Sequence, residues 1–152
     1  MNMIIGLPEY TDVISLDARY SNGIFRYMRN KKKEAIQWAM NNLVGKSIYH
    51  QDIQGKIFFT RSGINHAIYA KSNSEKVELI YHAIDILKSS RLISIQKDKW
   101  SRPDVLGVYR FSTIRTINKK KYFIYIIVKK MKVRGSGINY FYDHGVIKEL
   151  QL

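Results

Sequence analysis

Residues 108–147 read VYRFSTIRTINKKKYFIYIIVKKMKVRGSGINYFYDHGVI, and this stretch decides the fold. Three runs rich in Val, Ile, Tyr, Phe and Thr (residues 108–117, 122–133 and 138–147) are separated by Asn118-Lys119-Lys120 and by Arg134-Gly135-Ser136-Gly137. β-Branched and aromatic side chains suit a pleated, half-buried surface, and short connections containing Asn or Gly make neighbouring strands antiparallel. The pattern predicts a three-stranded meander. Alternation along its last strand sends Tyr140, Tyr142 and His144 one way and Asn139, Phe141 and Asp143 the other. On its first strand Arg110 and Ser112 alternate with Tyr109 and Phe111, so one face can present Arg110, Ser112, Tyr142 and His144 together.

Upstream the period changes to that of helices. Ile36, Ala39, Met40 and Leu43 recur at helical spacing and Gly45 follows as a C-terminal cap, which predicts a helix starting near Lys31. Residues 56–60 (KIFFT), bounded by Gly55 and by Ser62-Gly63, read as a buried strand; Ile64, Ala67 and Ile68 then mark a short helix. A stronger helix follows, with Ser72 and Glu75 at capping-box spacing and an apolar stripe of Val77, Ile80, Ile84 and Leu87 that ends near Ser89. Residues 96–104 read as a polar loop. Gly6, Pro8, Asn22 and Gly23 interrupt any period near the start, so residues 1–30 read as a loosely structured arm with short strand or helix pieces and residues 31–152 as one domain. The fold class expected is α+β, with N-terminal helices packed on a C-terminal antiparallel sheet.

Composition narrows the partner. The 152 residues carry 26 Lys and Arg against 12 Asp and Glu, a net charge of +14, which favours a polyanion bound by phosphate neutralisation. Residues 115–134 hold eight cations and no acid, and Lys119, Lys120 and Lys121 form a basic cluster at a turn. Cysteine is absent, which excludes disulfides, thiolate zinc sites and a cysteine nucleophile. No apolar run approaches a membrane span, and residues 1–7 are too short for the core of a secretion signal, so no membrane partner and a cytoplasmic location are expected. No HExxH, His/Cys knuckle or clustered carboxylate pattern occurs, so neither a metal nor another cofactor is expected.

Several segments, taken in order, carry a resemblance: AIQWAMNNLVG (35–45), KIFFTRSGINHAI (56–68), VELIYHAIDIL (77–87), the hairpin from VYRFST to IIVKK (108–130) and YFYDHGVIKEL (140–150). Together these resemble the domains associated with large polyvalent proteins of phages and mobile elements, which are grouped with the barnase/EndoU/colicin/RelE-like nuclease fold. The resemblance implies a nuclease acting on RNA without metal. It points to His66 in SGINHA and to Tyr142 and His144 in YFYDH as catalytic positions. Basic strand residues vary widely in that fold, so Arg110, Arg115 and Lys121 are assigned by position alone as phosphate contacts, beside Lys119, Lys120 and the ring of Tyr140.

Those residue types fit the reaction. Cleavage of RNA by its own 2′-hydroxyl needs a base, an acid and cations at the developing phosphorane charge; histidine suits either proton role and tyrosine can stack a base. Two function classes follow. One is a metal-independent endoribonuclease, a toxin or phage or mobile-element effector held in check by an acidic immunity or antitoxin protein, or delivered into a recipient cell. The other is a catalytically silent RNA-binding or protein-interaction module on the same fold. A cavity joining His66 and His144 favours the first, and distant histidines with an unbroken basic stripe favour the second.

The charge generates a direct expectation. Log affinity for single-stranded RNA falls with log salt by about 0.7 per phosphate contact. Fluorescence anisotropy across low to physiological ionic strength measures the slope, and a flat response removes nucleic acid as the main partner.

Overall fold

A computed structural model describes residues 21–69, 74–117 and 119–151. Among these, the elements run α1 (Ser21–Asn42), β1 (Ser47–His50), β2 (Gly55–Phe58), α2 (Arg61–Tyr69), α3 (Ser74–Leu79), a 3-10 turn (Ile80–His82), α4 (Ala83–Ser89), β3 (Arg91–Gln96), β4 (Val105–Ile117), β5 (Lys120–Val133) and β6 (Gly137–Glu149). The α+β class holds, with helices ahead of a long C-terminal meander.

The six-stranded sheet has the order β1-β2-β6-β5-β4-β3. Long antiparallel ladders join β4 to β5 and β5 to β6, as the three runs and their turns foretold. One expectation is corrected: the sheet is not wholly antiparallel. β2 joins β6 in parallel through Ile57↔Tyr140 and Phe58↔Phe141. β1 and β3 are the two edge strands, and the sequence reading assigned neither.

The helices bury the stripes their periods mark. Ala35, Ala39 and Leu43 of α1, Ile64, Ala67 and Ile68 of α2, and Val77, Ile80 and Leu87 further on all join one core with Phe111, Ile124, Ile126 and Val128 of the sheet. Gly45 ends α1 as expected: it takes φ +88°, a left-handed conformation cheap only for glycine, and its N–H donates to Phe59 O at 3.0 Å. Two helix boundaries differ from the sequence reading. α1 begins at Ser21 rather than near Lys31, so residues 21–30 form one continuous helix with the segment that follows instead of a short separate piece. The helix ending at Ser89 is broken by the 3-10 turn at Ile80–His82. Ser72, read as its cap, lies outside the described residues, as do residues 1–20 of the arm.

The packing of α2 on β6 positions everything that follows. β2 pairs with β6 only as far as Phe141. The chain then turns into α2, where the Gly63 N–H donates to Thr60 Oγ1 at 3.1 Å, and the helix closes on the part of β6 that β2 leaves bare. The approach is tight enough that a Cβ on Gly63 would lie 2.4 Å from the carbonyl oxygen of Tyr142. Gly63→Ala therefore has to push α2 away from β6. The expected cost is about 1–3 kcal/mol, read as a lower urea midpoint at unchanged slope.

A histidine–aspartate–lysine cluster on the open sheet face

β6 carries one residue more than its partner needs. Val128 faces Tyr142 and Ile127 faces His144, which leaves Asp143 as the extra residue of a β-bulge. The bulge shifts the alternation of side chains. Tyr140 and Tyr142 do share a face, but it is the core face: Tyr142 is 1% exposed and its ring lies 5.1 Å from that of Phe59. His144 emerges on the opposite side, next to Asp143. The expectation that Tyr142 and His144 share one surface is thus overturned, because uniform alternation fails across a bulge. Burial raises the Tyr142 hydroxyl pKa, with the nearby Asp143 charge adding to it, and the hydroxyl finds no hydrogen-bond partner among the described residues.

Four side chains from three elements meet at the bulge. His66, on the exposed side of α2, stacks on His144 with ring centroids 5.6 Å apart and planes within 4°. Asp143 lies among them. Its Oδ2 is 2.6 Å from His144 Nδ1 and 3.9 Å from His66 Nε2, while its Oδ1 receives Lys129 Nζ of β5 at 3.0 Å. Burial opposes ionisation of Asp143, but the hydrogen bonds from His144 and Lys129 and the nearby positive charge outweigh it and hold the carboxyl down to about 2. His66, Asp143 and His144 each offer one metal-ligating atom, all within 4.8 Å of one another. Neither a metal nor another cofactor was expected from the sequence, which has no HExxH, His/Cys knuckle or clustered carboxylate pattern; His66 is distant in the chain from the adjacent pair Asp143 and His144.

The cluster opens into a cavity of about 560 Å³ on the sheet face away from the helices. Arg110 and Tyr125 form part of its floor, the guanidinium 4.9 Å over the tyrosine ring. One wall is the loop between β3 and β4. There Arg102 grips Asp98 through its Nε (2.9 Å), its Nη2 (3.0 Å) and its backbone N–H (3.0 Å), and leaves Trp100 69% exposed at the rim.

The remaining candidates lie elsewhere. Arg115 faces α4: it donates to the Ser89 hydroxyl and sits 3.7 Å from Asp85, so it is absent from the cavity. Lys119, with φ +67°, and Lys120 and Lys121 occupy the far end of the β4–β5 hairpin, about 20 Å from His144 at 3.4 Å per strand residue. Lys120 there pairs with Glu149 at 3.7 Å. Tyr140 packs edge-on against Tyr109 at 5.2 Å on the core side. Of the nine candidates, the structure brings together His66, His144 and Arg110. It adds Lys129 and Asp143, and the wall formed by Asp98, Trp100 and Arg102, which the sequence reading passed over. His50 is buried and structural: Nε2 lies 3.0 Å from the Ser90 carbonyl and Nδ1 accepts the Asp52 N–H at 3.1 Å.

A family model described as "Large polyvalent protein-associated domain 3" matches residues 26–141. The chain belongs to this family. The matched span of the large polyvalent protein-associated domain 3 includes His66, Arg110 and Lys129 and ends just short of Asp143 and His144. The family's description ties the domain to large polyvalent proteins, as the sequence resemblance implied. No curated protein and no solved structure matches the chain. Among the described residues, no helix is long and apolar enough to cross a membrane.

The lowered Asp143 pKa links the cluster to stability. The folded state binds this proton less readily than the unfolded chain, whose carboxyl titrates near 3.8. The stabilisation is complete above about pH 4 and disappears as the pH falls through about 2. Asp143→Asn should flatten that part of the profile, measured as urea midpoints from neutral to acidic pH.

Proposed function

We propose that this domain is a metal-independent endoribonuclease, in which the substrate's 2′-hydroxyl attacks the adjacent phosphorus and expels the 5′-oxygen, leaving a 2′,3′-cyclic phosphate. One observation carries the reading: two parallel histidines, 5.6 Å apart, share a carboxylate at the mouth of a cation-lined cavity. The reaction moves two protons and builds negative charge on phosphate, and these groups match those needs.

Asp143 accepts a hydrogen bond from Nδ1 of His144, which fixes the ring and leaves Nε2 as its proton-transfer atom. His66 is the second proton-transfer group. Arg110 and Lys129 supply the positive field: Arg110 has an Nε without a hydrogen-bond partner among the described residues, and Lys129 is held beside the phosphate position by Asp143. Trp100 and Tyr125 offer ring faces on which bases can stack. The barnase/EndoU/colicin/RelE-like grouping fits this reading, with helices ahead of an antiparallel meander and the cluster on its open face. Cellular RNA in the cytoplasm is then the substrate, the source is a toxin or a phage or mobile-element effector, and an acidic immunity or antitoxin protein is the fitting restraint. The alternative, an RNA-binding or protein-interaction module without catalysis, draws on Lys119, Lys120 and Lys121, which present charge far from the cluster.

The test is incubation of the domain with RNA in EDTA, followed by analysis of the product ends. Cyclic phosphate ends are expected. His144→Ala should lower the chemical step by about 10²- to 10⁴-fold with affinity little changed. Tyr142→Phe should cleave at the parent rate, since its hydroxyl is sealed in the core. Dependence on added metal, or a folded His66→Ala, His144→Ala double variant that cleaves like the parent, defeats the assignment. Replacing Lys119, Lys120 and Lys121 by Glu should weaken RNA binding across sequences and leave the rate at saturating RNA unchanged.

A further inference from the structure

The same trio has a second chemistry. His66, Asp143 and His144 present two imidazole nitrogens and one carboxylate oxygen within 4.8 Å of one another, at a partly open position beside a cavity of about 560 Å³. Two histidines and a carboxylate with one side left open form a donor set suited to Zn²⁺ and its first-row neighbours. Tetrahedral zinc with bonds of 2.0–2.2 Å sets its ligand atoms roughly 3.3 Å apart. The present separations of 2.6 Å (Asp143 Oδ2 to His144 Nδ1) and 3.9 Å (Asp143 Oδ2 to His66 Nε2) bracket that value and all three atoms lie within 4.8 Å of one another, so side-chain rotations that draw the two ring nitrogens towards a common centre complete the set. Lys129 supplies outer support, since it holds Oδ1 at 3.0 Å and leaves Oδ2 as the donor.

We propose that His66, Asp143 and His144 form a binding site for one Zn²⁺ ion, and that occupancy switches the domain off. The inhibitory half rests on the ribonuclease reading; the binding half does not. Zinc takes the His144 Nδ1 lone pair and the Asp143 oxygen that now share a proton, and that proton is released to solvent. It also takes the His66 nitrogen; with zinc on Nδ1, Nε2 of His144 is fixed as an N–H that has no lone pair to accept a proton, so the pair can no longer cycle protons with RNA. The hard ion Mg²⁺ prefers all-oxygen ligands and gains little here. Among the four histidines, His50 has both ring nitrogens engaged in the core and is not available to compete.

The experiment titrates the metal-free full chain with Zn²⁺ by calorimetry, and in parallel follows the histidine ring protons by NMR. One equivalent is expected to bind, moving the resonances of His66 and His144 and not those of His50 and His82. His66→Gln and His144→Gln should each weaken binding by at least about 10-fold, and His82→Gln should not. The NMR readout on the unaltered chain keeps the test valid if a variant fails to fold. Zinc that does not bind, or that moves other histidines instead, overturns the site. Zinc should also suppress RNA cleavage, reversibly with EDTA, whereas Mg²⁺ should not. If zinc binds at this trio and no RNA is cleaved under any condition, the ribonuclease reading fails and the site stands. If zinc accelerates cleavage, the switch and the metal-independent mechanism both fail.

Discussion

One carboxylate holds together groups that would otherwise repel. In a chain of net charge +14, Lys129 and two titratable histidines converge on a small patch of sheet. Lys129 and a histidine that has taken up a proton, a few ångströms apart on a protein surface, repel by several kcal/mol. Asp143 removes that cost by accepting from Lys129 on one oxygen and His144 on the other, with His66 close by. Its own burial is tolerable for the same reason, since a buried carboxylate is stable only when its lone pairs are filled. Remove the charge and the patch has nothing to organise around.

Backbone geometry delivers Asp143 to that place through two local features. The bulge lets consecutive residues, Asp143 and His144, serve the same cavity, whereas regular alternation would have sent one of them into the core. The early end of β2 leaves room for α2 at the edge of β6, and Gly63 lets the helix come close enough for His66 to reach around it. A helix otherwise committed to the buried face thereby contributes to the exposed one. The parallel pairing of β2 with β6 belongs to the same arrangement, because it fixes where the chain leaves the sheet.

The elements were legible where a period runs long enough to be read. The three strands of the meander and the stripes of α1, α2 and the helices ending at Ser89 buried the residues their spacing marks. β1 and β3 were not: β1 is four residues long with Ile48 its one buried apolar side chain, and Ile93 and Ile95 of β3 are both exposed and give no buried alternation. Strand order was out of reach, since nothing in residues 55–58 announces pairing with residues beyond 137. The candidate cluster was half legible. His66, His144 and Arg110 were found, but Tyr142 was placed on the wrong face and Lys129 looked like any other member of a basic run. The available signal was Asp143-His144-Gly145 itself: a charged residue, a histidine and a glycine in succession inside an apolar strand mark a break in the pleat.

The route by which the cluster closes has a consequence for the order of folding. β4, β5 and β6 pair with sequence neighbours through tight turns, so the meander closes only short loops. Bringing α2 against β6 joins residue 66 to residue 143 across about half of the chain, a contact that carries a large loop-closure entropy and is rewarded only once the intervening meander exists. The two histidines are therefore among the last groups to meet. An unfolded chain carries every residue of the cluster and none of its geometry.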